Sequence, residues 1–412
     1  MNDESRFRHA SLGRLALGPG GAFVLIFCLS LVVQSFFLAK ANPKAVRPHT
    51  RWEVQAVAVS LAESGRFADP YVLPTGPTAH VAPIPPLISS VVYRVLGLTL
   101  TAGYVDRTLS ALFFAALWGL LPWLAGRVGL GVRAGVMGGI VGALIPKWPS
   151  HGTSLTALAL ALLMAAFLRR WSAERTGASA ALLLGLGCGA AIHVQPVVLA
   201  VVAGWMLFEL VWFGGRRMRA RTALTALGIV IACLPWAWRN YRTFDAVFLI
   251  RSNLGLELRM GHHEGATAAM DRMDGRGELL HPRLLEAEAR KVREMGEVVY
   301  MRRAGREASD WIRAHPVRSA ELVLARAALW WLGPFHDPLL ASLVIALTVL
   351  AMVGVWRSYP LLSAPQRAAV LIPLLTYPLV YYLVAYMPAY REPIDWLYLL
   401  LAAAAVTGPA GD

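Results

Sequence analysis

The sequence predicts an all-α polytopic membrane protein, and three observations carry that reading. Of 412 residues, 57% are hydrophobic and 16% charged, with a mean hydropathy of +0.53, whereas soluble domains are about 45–50% apolar and about 25% charged. The apolar residues gather into runs close to the roughly 17–25 that cross a bilayer. Arginines cluster at alternate connections between those runs, as the positive-inside rule requires. The net charge of +14, from 39 Lys+Arg against 25 Asp+Glu, is spread between apolar runs rather than gathered on one basic domain, which argues against nucleic-acid binding. Only four of those cations are lysines (Lys40, Lys44, Lys147 and Lys291), a bias that fits a high-GC bacterial genome. Cys28, Cys188 and Cys233 all lie inside apolar runs, so the fold does not depend on disulfides.

The first span is 21–38. Arg6, Arg8 and Arg14 precede it and place the N-terminus in the cytoplasm, and no small-residue cleavage site ends it, so it reads as an anchor. A first outer loop, 39–86, follows, too polar to span and rich in Pro, Gly and Thr. Six further spans read as 105–124, 134–149, 153–168, 178–193, 196–213 and 223–238. The inside connections carry Arg127 and Arg133, then Arg169, Arg170 and Arg175, then Arg216, Arg217, Arg219 and Arg221. The charged segment 240–320, with a helical pattern over 284–312, is the second outer loop. Spans 338–356, 368–387 and 394–406 close the chain, with Arg357 and Arg367 between the first two. That makes a single domain, 1–412, of about ten spans with both termini inside. The segments 87–98 and 320–331 are apolar but too short to cross, and each holds an arginine (Arg94, Arg326); both read as helices in the outer interface. No repeat of 20–50 residues is visible, which argues against transporters built from inverted repeats.

Polar groups cost least outside the hydrocarbon, so chemistry is expected in the outer loops and at the outer ends of the spans. Residues 51–64 read as a helix with Val54, Val57, Ala58 and Leu61 on one face and Gly65 as its stop. Glu53 opens that helix close to the membrane surface, with a solvated charge paired to Arg51 as the plain alternative; Glu63 and Asp69 are the other acids of the loop. His262, His263 and Glu264 are adjacent, which does not give the i,i+4 spacing of a helical zinc site. Tyr381, Tyr382 and Tyr386 read as interfacial anchors able to stack on a sugar.

Several segments together resemble a known family. They are the acid at Glu53, then S-L-A-x-x-G-R-F-x-D-P and P-T-G-P-T-A-H-V-A-P, L-P-W-A-W-R-N-Y at Leu234, R-S-N-L-G-L-E-L-R-M-G-H-H at Arg251, D-W-I-R-A-H-P at Asp310 and Y-R-E-P-I-D-W at Tyr390. In order and placement these resemble the C-type (GT-C) membrane glycosyltransferases, especially bacterial relatives of the dolichyl-phosphate-mannose protein mannosyltransferases and the lipid A aminoarabinose transferases. The resemblance implies a GT-C-like bundle in the bacterial inner membrane. It implies inverting transfer of a hexosyl or pentosyl group from a polyprenyl-phosphate donor to an unidentified acceptor on the outer face. It makes Glu53 the general base, since a carboxylate can take the proton of an acceptor hydroxyl as the glycosidic bond forms.

A leaving phosphate needs cations, and arginine binds its oxygens in pairs. Arg239, in P-W-x-x-R-N, and Arg391, beside Tyr390 and Glu392, are the expected phosphate ligands, with Arg107 beside Asp106 a third. Snorkelling for Arg239, and pairing with Glu392 and Asp106 for the other two, are the structural alternatives. His80, Asp69, Tyr390 and His262 are the candidate substrate contacts. No Gly-rich cradle or D-x-D pair for a metal-bound nucleotide sugar is present in the inside loops, so neither a metal nor any other cofactor is expected to be required. Relatives often carry an arginine where Ala389 stands and a proline where Trp396 stands, and the chain ends at Asp412 directly after a span; acceptor recognition is therefore expected from the two outer loops. The rival class is a transporter or flippase of lipid-linked sugars. Its features would be ionisable or broken-helix sites near the midplane; most charges here lie in loops and at span ends, though Glu209 and Gln195 sit within or near a span.

Overall fold

The computed structural model describes residues 19–172, 177–274, 279–334 and 337–408. Arg6, Arg8, Arg14 and Arg175, on which the expected orientation partly rests, lie outside them. The described residues form helices and loops without a strand; two isolated bridges pair Ala68 with Pro77 and Ala269 with Tyr386.

Each of the ten apolar runs is helical. Five helices, Gly20–Ala39, Leu100–Val128, His151–Ser172, Arg216–Phe244 and Pro338–Ser358, are long and apolar enough to cross a membrane. The other five runs give shorter helices of 13–17 residues: Val132–Leu144, Ala178–Val194, Val198–Trp212, Ala364–Thr376 and Asp395–Thr407. At 1.5 Å per residue a helix of 13 residues covers about 20 Å, less than the roughly 30 Å of hydrocarbon, so ten full spans overstates what helix alone supplies. The 368–387 run is broken, with a separate short helix at Leu379–Leu383 after Pro378. Several arginines expected in loops sit inside helix ends. The helix Arg216–Phe244 takes in Arg216, Arg217, Arg219 and Arg221, and Arg169 and Arg170 lie in the last turn of His151–Ser172.

Small residues let the bundle close. A Cβ on Gly185 would stand 2.1 Å from the Thr225 carbonyl oxygen, and one on Gly228 would stand 2.4 Å from that of Leu182. The helices Ala178–Val194 and Arg216–Phe244 therefore touch backbone to backbone, the approach that small residues permit in membranes. The intramembrane acid Glu209 is fully buried and fully engaged. Arg170 Nε lies 2.9 Å from its Oε1, Trp171 Nε1 donates to Oε1 at 3.0 Å, and Thr222 Oγ1 donates to Oε2 at 2.9 Å. This cluster fastens three helices and leaves Glu209 no oxygen to offer a passing solute.

The two polar segments pack on each other at one end of the bundle. Helix Glu53–Ser64 stops at Gly65, whose φ of 69° suits glycine. Its buried stretch is 55–59, while Val54, expected on the apolar face, is exposed. The short apolar segments are helices Ile84–Leu96 and Pro316–Leu332. In the second, Arg326 is not at an interface but wholly buried, donating to the carbonyls of Leu383 and Gly261. The pattern over 284–312 is split by Gly296 into helices Glu286–Met295 and Glu297–Ala314.

Removing Glu209 leaves Arg170 buried without its partner, so Glu209→Ala is expected to lower stability by about 3–5 kcal/mol, and a double replacement of both by Met by much less. Thermal unfolding in detergent checks this; an unchanged midpoint for Glu209→Ala would show that the acid is not a structural tie.

Candidate active site

The first loop is held in place by one buried carboxylate. Glu297, at the start of its helix, accepts hydrogen bonds from Thr78 Oγ1 at 2.5 Å, Ala79 N at 2.7 Å and Ser252 Oγ at 2.6 Å. Burial holds its pKa above the ordinary carboxylate value despite these donors. From the other side Arg251 Nε donates to the His80 carbonyl at 2.7 Å. These contacts hold the loop at His80, whose ring lies 5.6 Å from that of His281, itself beside Glu53.

Glu53 Oε1 lies 3.1 Å from Arg283 Nε and 3.5 Å from His281 Nε2. Arg283 lies over the Trp52 ring at 4.4 Å, and His281 Nδ1 accepts from the Arg283 backbone N–H at 3.0 Å. Burial raises the Glu53 pKa, with Arg283 and Arg251 pulling it back. Burial drives His281 down to about 3, helped by Arg283, and pushes His80 well below its ordinary value. Both rings are neutral near pH 7. One ligand atom each from Glu53, His80 and His281 lie within 4.8 Å of one another, so this set could hold a divalent cation. Two imidazoles and a carboxylate suit zinc, but Arg283 already supplies the positive charge that Glu53 faces.

Glu53 lines a cleft of about 370 Å³ together with Asp106, Arg107, His151, Gln195, Tyr381 and Tyr390. The last three also line a second chamber of about 550 Å³, whose other walls are Arg251, Glu257 and apolar side chains such as Ile192, Leu199, Val380 and Val384. Tyr381 and Tyr390 stack at 4.6 Å between centroids, and Gln195 Nε2 donates to the Tyr381 hydroxyl at 3.2 Å. Arg251 continues into a groove of about 710 Å³ along Glu297–Ala314, past Arg302 and Arg306. A larger groove of about 870 Å³ on the flank of Pro338–Ser358 is nearly all apolar, as a lipid-facing seam should be, and contains none of the candidate residues.

Of the residues expected from sequence, Glu53, Arg107, His80 and Tyr390 come together here. Arg239 does not. Its Nη1 donates to the Thr78 carbonyl at 2.7 Å and its Nη2 to that of Phe67 at 3.2 Å, with the Phe67, Trp236 and Phe244 rings around it. It ties the first loop to a span. Arg391 is turned into the bundle, donating to the Trp330 carbonyl at 3.0 Å and pairing with Asp395 at 3.2 Å rather than with Glu392. Asp69 closes a turn, at φ 58°, by accepting from the N–H groups of Thr75 and Gly76. His262 caps a short helix and lies beside Arg326, outside the cleft. Glu63 is exposed at the far end of its helix.

Sequence reasoning missed Arg251, Arg283, His281 and His151. His281 and Arg283 lie in a turn with no pattern around them. Arg251 opens the R-S-N-L-G-L-E-L-R-M-G-H-H segment, but its partner, the His80 carbonyl, lies 171 residues away in the chain.

No protein-family model matches this chain, and no curated protein matches its sequence. Solved structures do match. The chain is similar to the oligosaccharyltransferase of Archaeoglobus fulgidus in complex with Zn and sulfate, at 15% identity and a TM-score of 0.53 over 94% of this chain and 48% of that one. For the same enzyme in the apo form the values are 13%, 0.56, 94% and 50%. For this oligosaccharyltransferase, AglB, in complex with an inhibitory peptide and a dolichol-phosphate, they are 15%, 0.54, 94% and 50%. The chain thus spans about half the length of the structures it matches. The likeness defines the fold alone, that of an all-helical multi-pass membrane protein like this archaeal structure.

Because Glu297 satisfies three donors from two segments, Glu297→Ala should lower stability by at least about 2 kcal/mol and speed proteolysis between residues 66 and 80. Limited proteolysis of the membrane-embedded protein reads both; unchanged cutting would mean the loop is held by something else.

Proposed function

We propose that this protein is an inverting membrane glycosyltransferase. It moves a hexosyl or pentosyl group from a polyprenyl-phosphate donor to an acceptor on the extracytoplasmic face of a bacterial inner membrane. The observation that carries this reading is a pair of adjoining chambers that share Gln195, Tyr381 and Tyr390: a cleft with Glu53, Asp106, Arg107 and His151 in its wall, and a chamber of mainly apolar side chains bordered by Arg251 and Glu257. An amphiphile fits both, its isoprenoid chain against apolar walls and its phosphate and sugar in the cleft. The neighbour AglB has been captured with a dolichol-phosphate, and in another structure the same archaeal enzyme is tethered to an acceptor peptide; a related division of space suits this chain.

The acceptor oxygen attacks the anomeric carbon from the face opposite the phosphate. Its proton passes to Glu53, the carbon–oxygen bond to phosphate breaks, and the electron pair leaves on the phosphate oxygen. Burial keeps the Glu53 carboxylate more basic than a solvated one, and Arg283 orients it. The groove along Arg302 and Arg306 is the acceptor's approach. If zinc occupied Glu53, His80 and His281, it would neutralise charge there, but Glu53 would then be a ligand and not a base. The reading is therefore metal-independent. The transporter reading loses its intramembrane acid, since Glu209 is spent on Arg170, Trp171 and Thr222.

Single-turnover assays with a panel of polyprenyl-monophosphate sugars test the proposal. Glu53→Gln should lower turnover by about 10²–10⁴ with donor binding kept. Since Glu53 must be ionised to act, kcat/KM should rise with pH through a pKa above the ordinary carboxylate value, and this limb should vanish in Glu53→Gln. EDTA should leave the rate unchanged and added Zn²⁺ should inhibit. Strict dependence on a divalent ion, or transfer from a nucleotide sugar, would overturn the mechanism.

A further inference from the structure

Among the described residues, four buried polar atoms of the cleft wall have no hydrogen-bond partner: both amide atoms of Gln55, Arg107 Nε and His151 Nδ1. The last two stand beside the start of a helix, and neither has a task in the chemistry assigned to Glu53. His151 is the first residue of the helix His151–Ser172 and is 5% exposed. Its Nε2 lies 2.8 Å from Asp106 Oδ1, and Asp106 Oδ2 accepts from the Tyr93 hydroxyl at 3.2 Å. That leaves Nδ1 buried without a partner. One helix away, Arg107 is 7% exposed; its Nη1 donates to the Pro149 carbonyl at 2.7 Å, its guanidinium lies 5.1 Å from the Trp148 ring, and its Nε is buried without a partner. Both side chains line the cleft, as do Ser150, Gly152 and Thr153. The start of a helix of 22 residues therefore faces the same space. Ser150 takes two of its first-turn N–H groups, that of Thr153 on Oγ at 3.5 Å and that of Ser154 on its carbonyl at 2.9 Å. Those of His151 and Gly152 have no acceptor within the helix, and its dipole favours negative charge there.

Buried polar groups are almost always satisfied, and two orphaned nitrogens beside a helix N-terminus call for an anion. We infer that His151, Arg107 and the first turn of the helix His151–Ser172 form the phosphate subsite of this cleft. The ligand is the monophosphate headgroup of a polyprenyl lipid. The inference rests on the proposed donor and deepens it by replacing Arg239 and Arg391 as the phosphate ligands. In the bound state His151 keeps Nε2 on Asp106 and turns its Nδ1 edge to a phosphate oxygen, while Arg107 Nε–H meets a second oxygen. The charged groups around the ring are Asp106 and Arg107 from the helix Leu100–Val128 and Glu53 from the first loop. Glu53 and the phosphate subsite belong to different layers of the molecule, loop and bundle. A displacement with the base on one side of the anomeric carbon and the leaving group on the other has that requirement.

The two nitrogens of His151 can be tested apart. His151→Gln keeps a nitrogen near Nε2 and loses Nδ1; His151→Asn does the reverse. With the full chain in nanodiscs, undecaprenyl monophosphate, undecaprenol and inorganic phosphate are titrated against each variant. His151→Gln and Arg107→Gln should each weaken the phosphate lipid about tenfold, His151→Asn should keep part of the affinity, and undecaprenol binding should not change. Inorganic phosphate should bind far more weakly than the lipid and compete with it. Stronger binding of free phosphate than of the lipid would overturn the assignment to a lipid headgroup. Wild-type affinity for the phosphate lipid in both His151→Gln and Arg107→Gln would overturn the subsite, even if sugar transfer is found. Loss of affinity in those variants, with no sugar transferred by the wild type, would leave the subsite standing and defeat the enzymatic reading.

Discussion

The arrangement of the cleft depends on a single buried carboxylate, Glu297. Loop backbone brought against a membrane-embedded bundle must find partners for its N–H and C=O groups or stay in water. Glu297 solves this for the turn at Thr78 and Ala79, and Ser252 joins the same oxygens from the second segment. Arg239 completes the pinning, its guanidinium donating to the carbonyls of Phe67 and Thr78. With the loop fixed, His80 meets His281 and Glu53 meets Arg283, and the cleft acquires its floor.

The ten apolar runs, the helix opened by Glu53, its stop at Gly65 and the helical character of 284–312 were all legible in the sequence, because hydropathy and glycine act locally. The partner of each arginine was not. Arg239 and Arg391 occupy segments that look poised for phosphate, yet their donors are taken by backbone carbonyls at sequence separations of 161 and 61. Arg107 keeps an Nε with no partner beside the cleft, whereas Arg391 Nε, also without a hydrogen bond, is turned to Asp395 at 3.2 Å. Local pattern reports that an arginine lies near an interface; only tertiary packing decides which carbonyls reach it first. The same limit hid His281 and Arg283, whose relation to Glu53 spans more than two hundred residues of chain.

Burial has opposite consequences for the acid and the bases of this site. It makes the Glu53 carboxyl harder to ionise and the two imidazoles harder to protonate. Positive charge is therefore left to the guanidiniums of Arg107, Arg251 and Arg283, which hold theirs when partly desolvated. The site keeps its acid–base groups neutral or singly charged and delegates electrostatic stabilisation to residues that do not exchange protons.

The glycine contact between Ala178–Val194 and Arg216–Phe244 also has a mechanical meaning. Two helices whose backbones meet at Gly185 and Gly228 have no side-chain cushion between them and move as one plank. The apolar chamber is bounded on one side by this plank and its continuations, through Ile192, Gln195 and Ile250, and on the other by Val380 and Tyr381 from the five-residue helix after Pro378 and by Val384 just past its end. Widening the chamber for a bulky chain must then fall to the second wall. The width of its doorway is set by a short, proline-interrupted segment working against a stiff jamb.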